Sequence, residues 1–320
     1  VDEQKDPVRT GAAQDESNQP MTAPDSAVQM QADPTPPKQQ SIIGKIWRVL
    51  YPILIFFAFQ FAVSIAMSIV LTVLYIMKMP PGTAVTDYMP QIADMIMSKV
   101  LWMTLVSDAV MVPLFAFLYI RQRKGQRRVP LSSFGIADYA LTAVLAVAAN
   151  FAVSGVISGF SLTQYFSGYE AVMNGIESGS LALQIVTVGI VGPVLEEFLM
   201  RGVVLGRLRR YMKTVPAVLI QAAMFGFIHL NLLQGLYAAI FGVIMGYLYV
   251  KYESIVLCIV FHITLNTMSV ILPSTFGEDI NAFWFVGAGT CIAATCLFLI
   301  SRRKTASMAA GEPISMETRP

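Results

Sequence analysis

Residues 181–205 read LALQIVTVGIVGPVLEEFLMRGVVL, an apolar run whose second half carries Glu196, Glu197 and Arg201. As a helix rising about 1.5 Å per residue, it is long enough to cross the roughly 30 Å hydrocarbon core of a bilayer. Seven further apolar stretches flank it: Ile53 to Met77, Leu101 to Ile120, Tyr139 to Gly159, Val215 to Leu230, Gly235 to Val250, Ser254 to Leu272 and Phe283 to Ile300. The expectation is an all-α fold, a polytopic transmembrane helical bundle of about eight spans. The fifth and sixth spans are short, and only Asn231 to Gln234 separate them, so a tight turn near one membrane face is required.

Composition points the same way. Of 320 residues, 55% are apolar and 13% charged, about half the charge of an ordinary soluble domain. A net charge of +2 gives no reason to expect a nucleic-acid partner. With eight spans, Lys45 and Arg48, the run Arg121 to Arg128, the run Arg207 to Lys213, Lys251, and Arg302 to Lys304 all fall on one side. The other side has essentially Lys78 and Lys99. The positive-inside rule makes the basic side cytoplasmic, with both termini inside and the first span an uncleaved anchor. Residues 1–40 are polar, rich in Gln, Asp and Pro and without the apolar core of a signal peptide, and are expected to be a disordered cytoplasmic tail. The chain opens on Val1 rather than methionine, which leaves an upstream piece open. Residues 41–304 form the expected membrane domain, and 305–320 a flexible cytoplasmic tail. Cys258, Cys291 and Cys296 lie in apolar stretches without metal-site spacing and read as packing residues.

Each charge near a helix centre costs about 3 kcal/mol on insertion scales, so three within six residues need partners. Glu197 and Arg201 are four apart on one face and are expected to neutralise each other. Glu196 sits about 100° round from Glu197 and about 140° from Arg201, so a second carboxylate is left to face a polar cavity. The protein's two histidines, His229 and His262, also lie in spans. Asn266 follows His262 by four residues and shares its face; Phe225 precedes His229 by four, setting an aromatic ring beside that imidazole. Counted from the cytoplasmic helix ends, Glu196 lies about 15 Å deep, His229 about 22 Å, His262 about 15 Å and Asn266 about 21 Å. All four reach one layer near the bilayer midplane.

The three pieces, Glu196-Glu197-Phe198-Leu199-Met200-Arg201, Phe225-Gly226-Phe227-Ile228-His229 and His262-Ile263-Thr264-Leu265-Asn266, resemble the signature of the CAAX-protease and bacteriocin-processing family of intramembrane proteases. The motif core covers about residues 181–272. The resemblance implies hydrolysis of a peptide bond in a membrane-associated peptide of CAAX or bacteriocin-leader type, in what would be a bacterial cytoplasmic membrane. It implies Glu196 as general base, His229 beside it to position the water, His262 and Asn266 as donors to the oxyanion, and Glu197, Arg201 and Phe225 as support. Glu196, His229 and His262 could also supply the three ligands of a catalytic zinc. Because Asn266 is a poor zinc ligand but a good oxyanion donor, the metal-free, glutamate-based reading is favoured. Two other classes stand beside it: a bacteriocin self-immunity or binding protein on the same fold, and a proton-coupled transporter using Glu196, the histidines and Asp108. Asp108 itself, with Gln60, Asn150 and Gln221, is expected to make hydrogen bonds within the bundle.

Overall fold

A computed structural model of the protein describes residues 41–124, 129–166, 168–276 and 282–303. The expected tails at 1–40 and 305–320, part of the basic run at 125–128, and Lys304 lie outside them. Ten helices organise the described membrane domain: α1 (Ile42–Ile76), α2 (Met89–Met97), α3 (Val100–Gln122), α4 (Ile136–Gly159), α5 (Tyr169–Glu177), α6 (Leu181–Leu208), α7 (Thr214–Phe227), α8 (Leu232–Tyr252), α9 (Ile255–Phe276) and α10 (Ala282–Arg302). No strand occurs among the described residues.

Each of the eight apolar stretches is a helix, and the protein is an integral membrane protein. Among the described residues, six of these helices are long and apolar enough to cross a bilayer unaided; α7 and the apolar part of α9 are shorter. The sixth stretch is longer than expected, because α8 begins three residues earlier and runs for 21. Its start is fixed by Asn231, whose side-chain oxygen accepts the Gln234 N–H at 3.1 Å and completes the tight turn from α7. At the other end the basic residues do lie together. Arg207 of α6 donates to Gln122 of α3 at 3.1 Å, to the Tyr51 hydroxyl of α1 at 2.7 Å and to the Arg48 carbonyl. Lys251 reaches the Ser301 carbonyl, and Arg303 pairs with Asp138 at the start of α4. Trp47, Trp102 and Trp284 near the helix ends are exposed, as interface anchors would be.

The central helix α6 is not uniform. Pro193 has no N–H to give, and its neighbour Gly192 donates five residues back, to the Thr187 carbonyl. The carbonyls of Val188 and Gly189 thereby lose their helical donors, and residues Ile185–Val191 widen into a π-helical stretch. Side chains of α9 replace what the proline removed: Asn266 donates Nδ2–H to the Val188 carbonyl at 3.0 Å, and the Thr267 hydroxyl lies 3.5 Å from that of Gly189. A second π-helical stretch spans Phe198–Leu205, where Gln122 Nε2 reaches the carbonyls of Gly202 and Val203. Proline and three polar side chains thus set how α6 is seated against α3 and α9, and with it the direction of Glu196.

Small residues allow the close crossings. Gly202 and Gly206 pack under Tyr119 and Gln122, and Gly242 and Gly246 under Ala222 and Val218, each pair spaced four residues apart on one helix face. The tightest against backbone is Gly226 in the Phe225–His229 motif, where an added methyl would run into the Gly235 carbonyl of α8. Gly226→Ala is therefore expected to overpack the α7–α8 crossing at a cost of about 1–3 kcal/mol. Gly287→Ala in α10, with nothing within 4 Å of the new methyl, should leave stability unchanged or slightly raised. Thermal unfolding of the two purified variants in one detergent checks the contrast.

Candidate active site

Glu197 and Arg201 form the expected ion pair, Oε1 to Nη1 at 2.7 Å, with both side chains fully buried. The pair does not stand alone. His262 of α9 turns Nδ1 onto the same Glu197 oxygen at 2.8 Å, and its Nε2 faces Glu196 Oε2 at 3.6 Å. One imidazole therefore bridges the two adjacent glutamates, although their side chains leave α6 about 100° apart.

Charge accounting fixes what this row can do. With Glu197 ionised against Arg201, the Nδ1 of His262 must be its N–H donor. His262 Nε2 and Glu196 Oε2 are within ion-pair range but beyond a hydrogen bond, and with one proton on either group the four are neutral together. That neutrality is what allows so many ionisable groups inside a membrane. Of the two acids, Glu197 is sealed, whereas the Glu196 side chain keeps 22% of its surface accessible. The carboxylate left over in the sequence is the one that can meet water and substrate.

Phe225 organises the second imidazole. Its ring carries the Arg201 guanidinium on one face, 4.4 Å from the centroid. It also stands edge to face with both imidazoles, 5.0 Å from His229 and 5.7 Å from His262. His229 turns Nδ1 to the Phe225 carbonyl at 2.8 Å, which makes that nitrogen the donor and leaves Nε2 as the acceptor when the ring is neutral. Half-buried Asn266 lies one turn along α9 from His262 and holds the Val188 carbonyl with one of its two amide hydrogens. The structure thus joins Glu196, His262, Glu197, Arg201 and Phe225 directly and sets His229 against Phe225. Asn266 sits at the π-helical end of the same α6–α9 seam.

For zinc, each histidine does keep Nε2 clear while Nδ1 is anchored, as metal-bound imidazoles do. The donors nevertheless do not converge. Among the described residues no group of three or more His, Cys, Asp or Glu side chains is gathered closely enough to hold an ion. As arranged, Glu196, His229 and His262 do not fit a three-ligand zinc site, and no step below runs through a metal.

One polar residue departs from the sequence reading, and another does more than it foresaw. Asn150 bonds across helices to the Leu265 carbonyl at 3.2 Å, as expected, but Gln221 is fully buried with neither side-chain atom partnered among the described residues. Asp108 does take its hydrogen bond from Gln60, at 2.6 Å, yet it also lies against Gly192, one turn from Glu196, and so borders the site. The signal was available: Asp108 is 14 residues from the end of α3 at Gln122, as Gly192 is from Gly206, which places both about 21 Å deep.

The comparisons with known proteins single out the same part of the chain. Residues 178–268 match the family model described as type II CAAX prenyl endopeptidase Rce1-like, a stretch that holds all three motifs. A protein of Bacillus subtilis (strain 168) named "Putative membrane peptidase YdiL" is 29% identical over 113 residues, 35% of this chain. The match covers 46% of that relative, so the chain spans about half its length. No solved structure matches the chain.

Removing Arg201 should expose how much rests on the buried row. Arg201→Met leaves Glu197 uncompensated and is expected to cost about 3–5 kcal/mol. Adding Glu197→Gln, which retains an oxygen for His262, should recover most of that loss. Denaturant unfolding in mixed micelles measures both.

Proposed function

We propose that this chain, whose motif core belongs to the CAAX-protease and bacteriocin-processing family, is an intramembrane endopeptidase that hydrolyses a peptide bond in a membrane-associated peptide. The observation that carries the reading is the Glu196–His262 contact, backed by Glu197 and Arg201. It supplies a partly accessible carboxylate whose charge an imidazolium balances.

In this reading Glu196 is the general base. It takes a proton from water as the oxygen attacks the scissile carbonyl, and the Nε2 of His229 accepts the other hydrogen and orients the attack. Once Glu196 is protonated it no longer needs the His262 N–H. That donor turns to the oxyanion, with the second amide hydrogen of Asn266 beside it. Glu197 and Arg201 hold the His262 ring by Nδ1 so that Nε2–H faces the site, and Phe225 spaces the two rings. No metal enters the scheme: active protein found to carry stoichiometric zinc, lost together with activity, would contradict it. The basic face is assigned to the cytoplasm, with both chain ends on that side. Substrates of the CAAX or bacteriocin-leader kind, tethered in the bilayer near their cleavage site, suit a site at this depth.

Purified protein in proteoliposomes, given an S-prenylated fluorogenic peptide and analysed by mass spectrometry, tests the assignment. Glu196→Gln should reduce cleavage about a thousandfold, within the roughly 10² to 10⁴ typical of general-base loss. Asn266→Ala should reduce kcat about a hundredfold with little change in KM, the signature of a lost oxyanion donor. Cleavage by Glu196→Gln at the native rate would sink the reading.

A further inference from the structure

Asp108 is a third carboxyl group beside the site, and none of the roles above uses it. It is 4% exposed, in the middle of α3. Gln60 of α1 donates to its Oδ1 at 2.6 Å, and no hydrogen bond is described for Oδ2. That second oxygen lies 3.6 Å from where a side-chain carbon on Gly192 would stand, so it occupies the room that glycine leaves open. Gly192 is one helical turn from Glu196, and the Asp108 and Glu196 carboxyls are close enough to interact electrostatically. The hydroxyls of Ser107, next in sequence to Asp108, and of Thr187, whose carbonyl takes the Gly192 N–H, are buried without partners among the described residues.

The three carboxyls differ in what balances them. Glu197 has Arg201 and Glu196 has His262; among the described residues no cation pairs with Asp108, which has only an amide. An ionised carboxylate without a counter-charge is costly at this depth, so these contacts favour Asp108 as a neutral acid. Peptide hydrolysis needs such a group, because an amine anion leaves only when its nitrogen is protonated.

We propose that Asp108 is the general acid of the reaction, giving its proton to the leaving nitrogen while Glu196 takes one from the attacking water. The assignment rests on the endopeptidase reading. The steps balance: water loses a proton to Glu196 as its oxygen bonds to the carbonyl carbon. Asp108 then protonates the nitrogen as the C–N bond breaks, and the proton on Glu196 passes to Asp108 to restore both groups. The competing role is a structural tie between α1 and α3 through Gln60, and leaving-group chemistry separates the two. An alkoxide departs without full protonation, so an ester bond tolerates loss of the acid whereas an amide does not.

Asp108→Asn keeps the size of the side chain and an oxygen for Gln60. It should be compared with the native protein on two S-prenylated fluorogenic peptides that differ only in an amide or an ester at the scissile bond. The variant should lose about a hundredfold in kcat on the amide and less than about threefold on the ester, with KM unchanged on both. Equal losses on both probes, or none on the amide, overturn the assignment. Should Asp108→Asn fail to fold, the native protein decides with a series of anilides. Rates nearly independent of the leaving amine's basicity support an internal acid, and rates falling steeply as basicity rises overturn it. Glu196→Gln run alongside keeps the readings apart: if it still cleaves the amide, the endopeptidase reading itself has failed, whatever Asp108 does.

Discussion

The buried row Arg201–Glu197–His262–Glu196 is the constraint from which the rest of the structure follows. A lone glutamate in a bilayer is best off protonated or displaced toward water, and neither state can activate a water molecule. Here one cation and one imidazole serve two carboxylates through a shared Glu197 oxygen, with contacts of 2.7 and 2.8 Å. The row is neutral as a whole, and only its last member, Glu196, is accessible. A reactive carboxylate can thus be kept deep in a membrane protein without leaving a net charge in the bundle.

Holding that row in place explains the irregular parts of the fold. His262 can reach both glutamates only if α9 lies close along α6, and the π-helical stretch before Pro193 supplies the fit. It leaves the Val188 and Gly189 carbonyls open to Asn266 and Thr267, one turn from the imidazole. On the far side of α6, Gly202 and Gly206 let α3 approach, and Gln122 fills the second π-helical stretch. A uniform α-helix would satisfy its own carbonyls and give α9 and α3 nothing to hold.

Much of this was legible in the residues. Apolar stretches gave the helices, the four-residue spacing of Glu197 and Arg201 gave their pair, and the 100° step between adjacent helical residues singled out Glu196. Depth counting brought the histidines to the same layer. What could not be read was which partner each ring nitrogen takes. Spacing places His262 and Asn266 on one face, but only three-dimensional packing turns Nδ1 to Glu197 and Nε2 to Glu196. Asp108 was passed over for another reason: taken alone, a single acid in a span is well explained by one hydrogen bond, and Gln60 provides it. Its place beside Gly192 emerges only when depth is counted along α3 and α6 together. Gln221 was expected to bond across helices like Asn150, and nothing in the structure explains why its amide is left without a partner.

Because the protein has only two histidines, their state can be observed without ambiguity. ¹⁵N NMR of histidine-labelled protein in lipid nanodiscs should show two imidazoles, each with Nδ1 protonated, of which one donates a strong, charge-assisted hydrogen bond. Replacing Glu197 by Gln should weaken that bond, moving the Nδ1 proton and nitrogen signals of His262 while those of His229 stay in place. Spectra in which neither ring responds, or both shift alike, would mean that His262 is not held by Glu197, and the basis for an ionised Glu196 in the membrane would be gone.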